Sequence, residues 1–335
     1  MRNNELKNTD FIHIIELISN AQNRAYKAVN QELVLLYWEI GSFMSEKVIS
    51  GVWGEGVVVQ LATYIQSKYP NLRGFTKRGL YRMKQFFETY QKIEKVSTLL
   101  TQLNWSNHLM ILSKCNSIEE KQFYILLSVK EKLSFRELQR QIETSVFERT
   151  MLASSNVSTP LTQLQRDVSQ VFKDTYIFEF LDLPVNYNEK DLQRQLLANL
   201  KIFLMELGGG FTFVGQEYRV QVGLHDYFID LLFYHRQLQC LVAIELKTTD
   251  FEPEHLGKLN FYLEALDSEV KMPHENPSIG ILLCKGKDSE VVEFALRRNI
   301  SPAMIADYET KLINKKILQQ KLHDLYLLFD QKQIK

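Results

Sequence analysis

The sequence has little cysteine, and what it has is scattered. Its three cysteines, Cys115, Cys240 and Cys284, stand far apart and form no CxxC pair. A zinc site of the finger type needs such pairs, and a disulfide framework needs an even set of spaced cysteines. Both are therefore excluded. We expect reduced thiols packed as small core residues, in a cytoplasmic protein.

Long apolar runs are also missing. No stretch approaches the roughly 20 apolar residues that a helix needs to cross a bilayer. The opening MRNNELKNTDF has no apolar segment of signal-peptide length. We therefore expect no membrane partner. No Ser-His-Asp order or phosphate-binding glycine loop stands out either, and Gly208-Gly209-Gly210 is typical of a helix stop.

Net charge is lacking too, because 40 Lys and Arg balance 40 Asp and Glu among 335 residues. The halves differ, however. Residues 1–150 hold 20 basic against 15 acidic side chains, a net charge of +5, and residues 151–335 hold 20 against 25, a net charge of −5. The length predicts two domains of about 150 residues each. A basic front half and an acidic back half indicate different tasks.

The front half has the apolar spacing of helices, for example at residues 11–18 and 29–40. Residues 75–90 predict a helix that Thr76 caps, preceded by a turn and a short helix, which is the outline of a helix-turn-helix. The basic side chains of this helix are Lys77, Arg78, Arg82 and Lys84. We predict that residues 1–155 form a helical DNA-binding domain in which these four contact phosphates. A solvated helix face explains them equally well.

The back half changes character after a Ser-rich break at residues 151–160. Strand patterns occupy residues 211–222, 228–235, 241–246, 278–284 and 303–306, and helical patterns occupy residues 192–207, 253–265 and 289–297. This order predicts a mixed α/β sheet with helices packed on it, in a domain spanning residues 165–310.

Residues 311–335 predict one amphipathic helix. Its apolar positions are Leu312, Ile317, Leu322, Leu325 and Phe329. Such a helix either packs on its own domain or pairs with the same helix of a second subunit, so a homodimer through this segment is one expectation.

The candidate catalytic residues lie in the segment DYFIDLLFYHRQLQCLVAIELK, in which two apolar strands flank a polar turn. If the turn centres between residues 237 and 238, paired residues have numbers that sum to 475, and Asp230 faces Glu245. Lys247 projects from the same face as Glu245 because side chains alternate along a strand. His235 falls at the turn, where we expect it at the surface.

Burying two carboxylates at the end of apolar strands costs free energy, and a bound divalent cation offsets that cost. Mg²⁺ commonly takes one or two carboxylates with waters and phosphate oxygens, and the carbonyl of Leu246 adds a further oxygen. Such an ion activates water and neutralises a phosphodiester transition state, with Lys247 assisting. Alternatively, Asp230, Glu245 and Lys247 form a surface salt bridge.

At this point the sequence resembles the YhcG-type PDDEXK nuclease family. In the back half the resemblance is carried by YIFEFLDLP (176–184), LGGGFTFVGQEYRV (207–220), YFIDLLFYHRQLQCLVAIELK (227–247), LNFYLEALD (259–267) and NPSIGILLCK (276–285). In the front half it is carried by LVLLYWEIG (33–41), LRGFTKRGLYRMKQFF (72–87), NWSNHLMIL (104–112) and SFRELQRQIETSVFERT (134–150).

The resemblance implies a restriction-endonuclease-like fold and a metal-dependent nuclease. The Asp of the family motif corresponds to Asp230, and its E-x-K corresponds to Glu245 and Lys247. Two departures matter. A metal-facing Glu of the leading helix falls on Gln193, a weaker ligand, so Glu189 or Asp191 replaces it only if that helix is rotated. The Gln of a later helix falls on Lys258, which either touches a phosphate or is solvated.

The leading hypothesis is a Mg²⁺-dependent endonuclease acting on DNA, with Mn²⁺ as an alternative ion. Asp230, Glu245 and the Leu246 carbonyl bind the ion, and Lys247 assists the attacking water. A second hypothesis, motivated by Gln193, is a DNA-binding or assembly protein with a decayed nuclease site. RNA in place of DNA is a third, because fold does not fix substrate.

Overall fold

The computed structural model describes residues 2–93, 98–153, 156–164 and 171–333. The chain divides into two compact units, Met1–Ile142 and Glu143–Lys335. The first is helical and the second is built on a sheet, so the predicted fold class is confirmed. Among the described residues, no helix combines the length and the apolar character needed to span a membrane.

The first unit is a succession of helices. These are α1 (Arg2–Ile49), α2 (Glu55–Lys68), α3 (Lys77–Tyr90), a short 3₁₀ turn (Leu100–Gln102), α4 (Trp105–Lys114), α5 (Ile118–Glu131) and α6 (Phe135–Glu143). The two apolar segments predicted near the start belong to one continuous helix, α1. Thr76 caps α3 as predicted, because its side chain accepts a hydrogen bond from the Gly79 amide at 3.2 Å.

The core of this unit forms where α1 crosses α3. Tyr37 and Met44 of α1 pack with Leu80 and Met83 of α3, and all four are buried. Gly41 makes the approach possible, since a Cβ there would lie 2.2 Å from the Met83 carbonyl oxygen. The two helices therefore meet backbone to backbone.

The second unit alternates helices and strands. Its elements are α7 (Val146–Leu152), α8 (Thr159–Leu164), β1 (Thr175–Ile177), α9 (Glu189–Ala198), α10 (Leu200–Leu207), β2 (Phe211–Val222), β3 (His225–His235), β4 (Cys240–Leu246), α11 (Glu254–Glu269), β5 (Ile279–Cys284), α12 (Ser289–Arg297), β6 (Ala303–Glu309) and α13 (Lys315–Gln333). From α9 to β6 the predicted order is confirmed, except that the one helix predicted at residues 192–207 is divided into α9 and α10. Helix α8 and strand β1 are additions to the predicted order.

The six strands form one sheet in the order β1-β6-β5-β4-β3-β2. Strands β2, β3 and β4 are antiparallel neighbours, whereas β4, β5, β6 and β1 run parallel. Strand β2 lies at one edge, and its pairing with β3 shifts at a bulge between Phe213 and Gly215. The sheet is mixed, as predicted.

Helices cover both faces of this sheet. Leu196 of α9 and Phe203 of α10 pack on one face, and Leu259 and Leu263 of α11 pack on the other. The end of α10 is set by Gly208, whose φ of +112° favours glycine. The sheet and α9 together position the polar residues described next.

Helix α13 packs against α7 of the same unit. Among its described side chains, Leu318 and Leu322 are buried, with 7% and 8% exposure. The predicted apolar face was partly wrong, because Leu312 precedes the helix and Ile317 is 54% exposed. Leu325 is half-buried, and the predicted position of Phe329 has a side chain outside the described part of the chain.

Candidate active site

The hairpin of β3 and β4 has the predicted register. The ladder runs to the pair Leu231–Ile244, whose numbers sum to 475, so Asp230 and Glu245 occupy the next position along. The Asp230 Oδ2 atom accepts a hydrogen bond from the Leu246 amide at 2.8 Å. The Asp230 carboxylate therefore reaches the end of β4, beside Glu245.

Glu245 is a buried carboxylate, with 1% of its surface exposed. Its Oε1 atom accepts hydrogen bonds from Lys258 Nζ at 2.5 Å and Lys247 Nζ at 3.1 Å. Its Oε2 atom is also buried and has no hydrogen-bond partner within the described parts of the chain. A buried, unpartnered carboxylate oxygen is costly, which makes this atom a candidate ligand for a cation.

The ammonium of Lys247 lies among three oxygen atoms. Its Nζ is 3.0 Å from Glu189 Oε1, 3.1 Å from Glu245 Oε1 and 3.0 Å from the Leu246 carbonyl oxygen. The Lys247 side chain is 12% exposed. Carboxylate and carbonyl oxygens thus converge here on one positive charge.

Helix α9 brings two residues to this cluster. Asn188 and Asp191 form a capping box that fixes the start of α9. One turn apart on the same helix, Glu189 reaches Lys247, and Gln193 Nε2 donates to the Asp230 carbonyl oxygen at 2.7 Å. Glu189 thus reaches the cluster from the same helix as Gln193, and its replacement of a metal-facing Glu stays a prediction. Asp191 pairs with Arg194 instead.

Burial and neighbouring charge change the acidity of the cluster. Burial and the Glu245 carboxylate raise the pKa of Asp230 from its ordinary 3.8 to about 6. Burial alone would lower the pKa of Lys247, but the Glu245 and Glu189 carboxylates raise it. Lys258 behaves in the same way. Burial disfavours its charged form, but the Glu245 carboxylate favours that form more strongly, so the pKa of Lys258 is raised. Both lysines therefore stay protonated at neutral pH.

Two tyrosines support the end of β4. The Tyr308 hydroxyl donates to the Lys247 carbonyl oxygen at 3.2 Å, and the hydroxyls of Tyr187 and Tyr308 are 3.2 Å apart. These residues lie far from Lys247 in sequence, and nothing in their local pattern marks them. On α11, the Lys258 ammonium lies 5.4 Å from the centre of the Tyr262 ring.

The four basic residues predicted to contact DNA all lie on α3 of the first unit. Lys77 and Arg78 are exposed, whereas Arg82 and Lys84 are half-buried. Lys84 pairs with Glu88 at 2.7 Å on the same helix. Their role stays a prediction, and so does the helix-turn-helix.

The residues present fit a divalent cation. Three carboxylates, Asp230, Glu245 and Glu189, face two ammonium groups, which leaves one negative charge and the unpartnered Glu245 Oε2. The described residues include no group of three or more His, Cys, Asp or Glu able to enclose a metal. An ion that keeps most of its waters, as Mg²⁺ does, matches such an open donor set.

Both halves of the chain match known protein families. Residues 169–323 match the YhcG PDDEXK nuclease domain, and residues 13–149 match the DUF1016 N-terminal domain. A curated protein of Escherichia coli (strain K12), named "Putative nuclease YhcG", is 28% identical over 346 residues, which cover 92% of each chain. These matches confirm the resemblance that the motifs carried.

Two solved structures are also similar. A repair endonuclease from Pyrococcus abyssi is 14% identical, with 38% of this chain and 50% of that chain covered and a TM-score of 0.27. A structure titled "EndoMS-dsDNA2 complex" is 18% identical, with 39% and 48% covered and a TM-score of 0.28. The similar region spans about half of each of those chains.

Proposed function

The chain belongs to the family that joins a DUF1016 N-terminal domain to a YhcG PDDEXK nuclease domain, and we propose that it is a Mg²⁺-dependent endonuclease that hydrolyses the phosphodiester bonds of DNA. The observation that carries the proposal is the buried Glu245, whose Oε2 has no partner among the described residues, beside Asp230 at the end of the hairpin. Mn²⁺ is an alternative ion for the same oxygens.

Each residue of the cluster has a proposed task. Asp230, Glu245 and the Leu246 carbonyl hold the ion, with Glu189 as an additional oxygen donor. When bound, the ion supplies an acidified water and neutralises charge on the phosphodiester transition state. Lys247 keeps its proton because its pKa is raised. It is therefore placed to donate to the scissile phosphate or to orient the attacking water.

The organisation of the chain is proposed along the same lines. Residues 1–155 position the substrate, residues 165–310 cut it, and residues 311–335 form a C-terminal helix. On α3, Lys77, Arg78, Arg82 and Lys84 contact the phosphate backbone, which sets position and carries no sequence information. Lys258, once displaced from Glu245, is placed to contact a phosphate.

Two further expectations remain predictions. A homodimer through α13 would use Ile317 and Leu327, which are exposed, because Leu318 and Leu322 pack within the unit. A cytoplasmic location is supported by Cys115, Cys240 and Cys284, which are free, buried thiols suited to a reducing compartment.

Plasmid cleavage tests the proposed function. Wild type is compared with Asp230→Ala and Lys247→Ala, with Mg²⁺ and with EDTA. We expect EDTA to abolish cleavage and both variants to lose activity by orders of magnitude. The control is Asp226→Ala, which changes an exposed carboxylate on the same strand, paired with Arg219. Equal cleavage by all four proteins would point to another site and contradict the proposal.

The alternative of a decayed nuclease site, which Gln193 motivates, is tested by metal binding. Calorimetry with Mg²⁺ and Mn²⁺ should show binding that Asp230→Ala removes. No binding at millimolar metal, together with salt-sensitive binding of DNA, would favour a DNA-binding or assembly protein. Cleavage of an RNA oligonucleotide in preference to DNA of the same sequence would replace DNA by RNA as the substrate.

A further inference from the structure

Helix α1 carries a second apolar face that its own unit does not use. In the part of α1 that packs against other helices of the first unit, Val34 is buried, with 1% exposure. Leu36 in the same part is 40% exposed. With 3.6 residues per turn, two residues apart means about 160° around the helix axis. Val34 therefore lies nearly opposite Leu36, whereas the buried Tyr37 and Met44 lie about 100° and 80° from Leu36 around the axis. The exposed apolar face thus adjoins the buried face and is distinct from it.

The exposed face continues along the first half of the helix. The described side chains at residue 11 and residues 13–29 are all exposed. Phe11, Ile15, Ile18 and Val29 are between 52% and 62% exposed. Within the described chain, nothing covers them, although a helix of 48 residues with such a face is uncommon unless it has a partner.

The spacing of this face is that of a coiled coil. One position recurs every seven residues, at Ile15, Gln22, Val29, Leu36 and Phe43, and four of these five residues are apolar. A second core position is filled by Phe11, Ile18 and Ala25, and it shifts to Leu33 later in the helix. The two positions together form a heptad stripe, which we define by these nine residues.

Gln22 is the polar member of the stripe, and it favours one arrangement of two helices. A side-chain amide both donates and accepts hydrogen bonds, so two Gln22 side chains that face each other satisfy one another. Among the arrangements that overlap the whole segment from residue 11 to residue 43, they face each other only when two copies of α1 run parallel and in register. Opposite an apolar residue, a buried amide would be left unsatisfied, which is costly.

We propose that α1 pairs in parallel with α1 of a second copy of this chain, along this heptad stripe. Its large apolar residues, Phe11, Ile15, Ile18, Val29, Leu33, Leu36 and Phe43, are each 40% to 62% exposed. Two such stripes would bury about 1,200 Å² in total, which reaches the size of a stable specific interface. Phe43 keeps 51% exposure despite its contact with Trp53.

Charge favours a second copy over other occupants. The charged residues between positions 11 and 29 are Glu16, Arg24 and Lys27, a net charge of +1. A helix that lies on a membrane usually has many Lys and Arg on its polar face, and a nucleic-acid surface needs more positive charge. An apolar heptad stripe with balanced flanks suits an identical helix.

The molar mass of the full chain in solution tests the pairing. We expect wild type to have twice the mass of one chain by light scattering after gel filtration. Ile18→Asp should yield a monomer with unchanged helix content. Leu17→Asp, which changes an equally exposed apolar neighbour about 100° around the helix, should stay dimeric. A monomeric wild type, or a dimer that survives Ile18→Asp, would overturn the proposal.

Cross-linking gives an independent readout if Ile18→Asp fails to fold. Under mild oxidation, Gln22→Cys should form a disulfide-linked dimer, and Asn20→Cys, about 160° away on the same helix, should not. The three native cysteines are buried and do not interfere. A dimer that does not cross-link at residue 22 overturns the parallel arrangement. A monomer that floats with phosphatidylcholine–phosphatidylserine vesicles overturns the pairing and assigns the stripe to membranes.

Discussion

Asp230 is held in an environment that disfavours its charge. Burial and Glu245 raise its pKa to about 6, so the folded protein binds a proton there more readily than the unfolded chain, whose value is near 3.8. Metal-free wild type should therefore lose stability as the pH rises from about 4 through 6. Asp230→Asn removes this loss, and we expect the free energy of unfolding at pH 8 to rise by up to about 3 kcal/mol.

Urea unfolding in EDTA at pH 5 and pH 8 measures this effect. The matched control is Asp226→Asn, because Asp226 is exposed and paired with Arg219. Its stability should follow the pH profile of wild type. A lower stability of Asp230→Asn at pH 8 would contradict the stated environment of Asp230.

Lys258 holds the place of a counter-ion to Glu245 when no metal is bound. Its ammonium, 2.5 Å from Glu245 Oε1, repels a cation that approaches the other oxygen of the same carboxylate, Oε2. We expect Lys258→Gln to bind Mn²⁺ several-fold more tightly by calorimetry. Lys285→Gln, which alters an exposed lysine of the same unit, should bind as wild type does. Weaker metal binding by Lys258→Gln would show that the lysine supports the ion.

At this scale the sequence predicted that Asp230, Glu245 and Lys247 come together, because a hairpin register is fixed by local pattern, and their roles stay predictions. It did not predict the contact of Glu189 with Lys247, since the rotation of α9 about its axis depends on packing against the sheet. His235 was placed at the surface and is in fact buried. Its ring packs against Phe211 and over Gly210, contacts that a local pattern does not encode.

At the scale of elements, the crossing of α1 and α3 depends on one glycine. A methyl group on Gly41 would lie 2.2 Å from the Met83 carbonyl oxygen, which belongs to backbone and cannot turn aside. We expect Gly41→Ala to lower the free energy of unfolding by about 2–3 kcal/mol. Gly56→Ala, in open space on α2, should raise it by up to about 1 kcal/mol. Thermal unfolding of both variants measures the difference, and equal stabilities would contradict the tight crossing.

Most helices and strands were predicted from periodicity, and α12 was predicted to the residue. Strand β1 was missed because three residues are too few to show a period. The tail helix was found, but its buried face was not. Leu318 and Leu322 face inward because α7 lies beside them, and that neighbour is distant in sequence.

For the whole molecule, we expect DNA binding to depend on α3. Removing Lys77 and Arg78 together, as alanines, should weaken binding to duplexes of any sequence. It should also reduce the slope of log affinity against log salt by roughly 1–2. Lys114→Ala, a change to an exposed lysine of the same unit, should leave the slope unchanged. Fluorescence anisotropy over a salt series gives both quantities, and an unaltered slope in the double variant would argue for a merely solvated helix face.

The edge position of strand β2 bears on the aggregation of this protein at high concentration. Strand β2 has 12 residues and is the outermost strand of the sheet in the described part of the chain. The outer edge of such a strand is a site where a foreign strand is able to pair. The bulge at Phe213–Gly215, the φ of +41° at Glu217 and the charge of Arg219 interrupt that edge. These irregularities thus disfavour edge-to-edge pairing between molecules. A regular β2 without the bulge would make the protein less soluble.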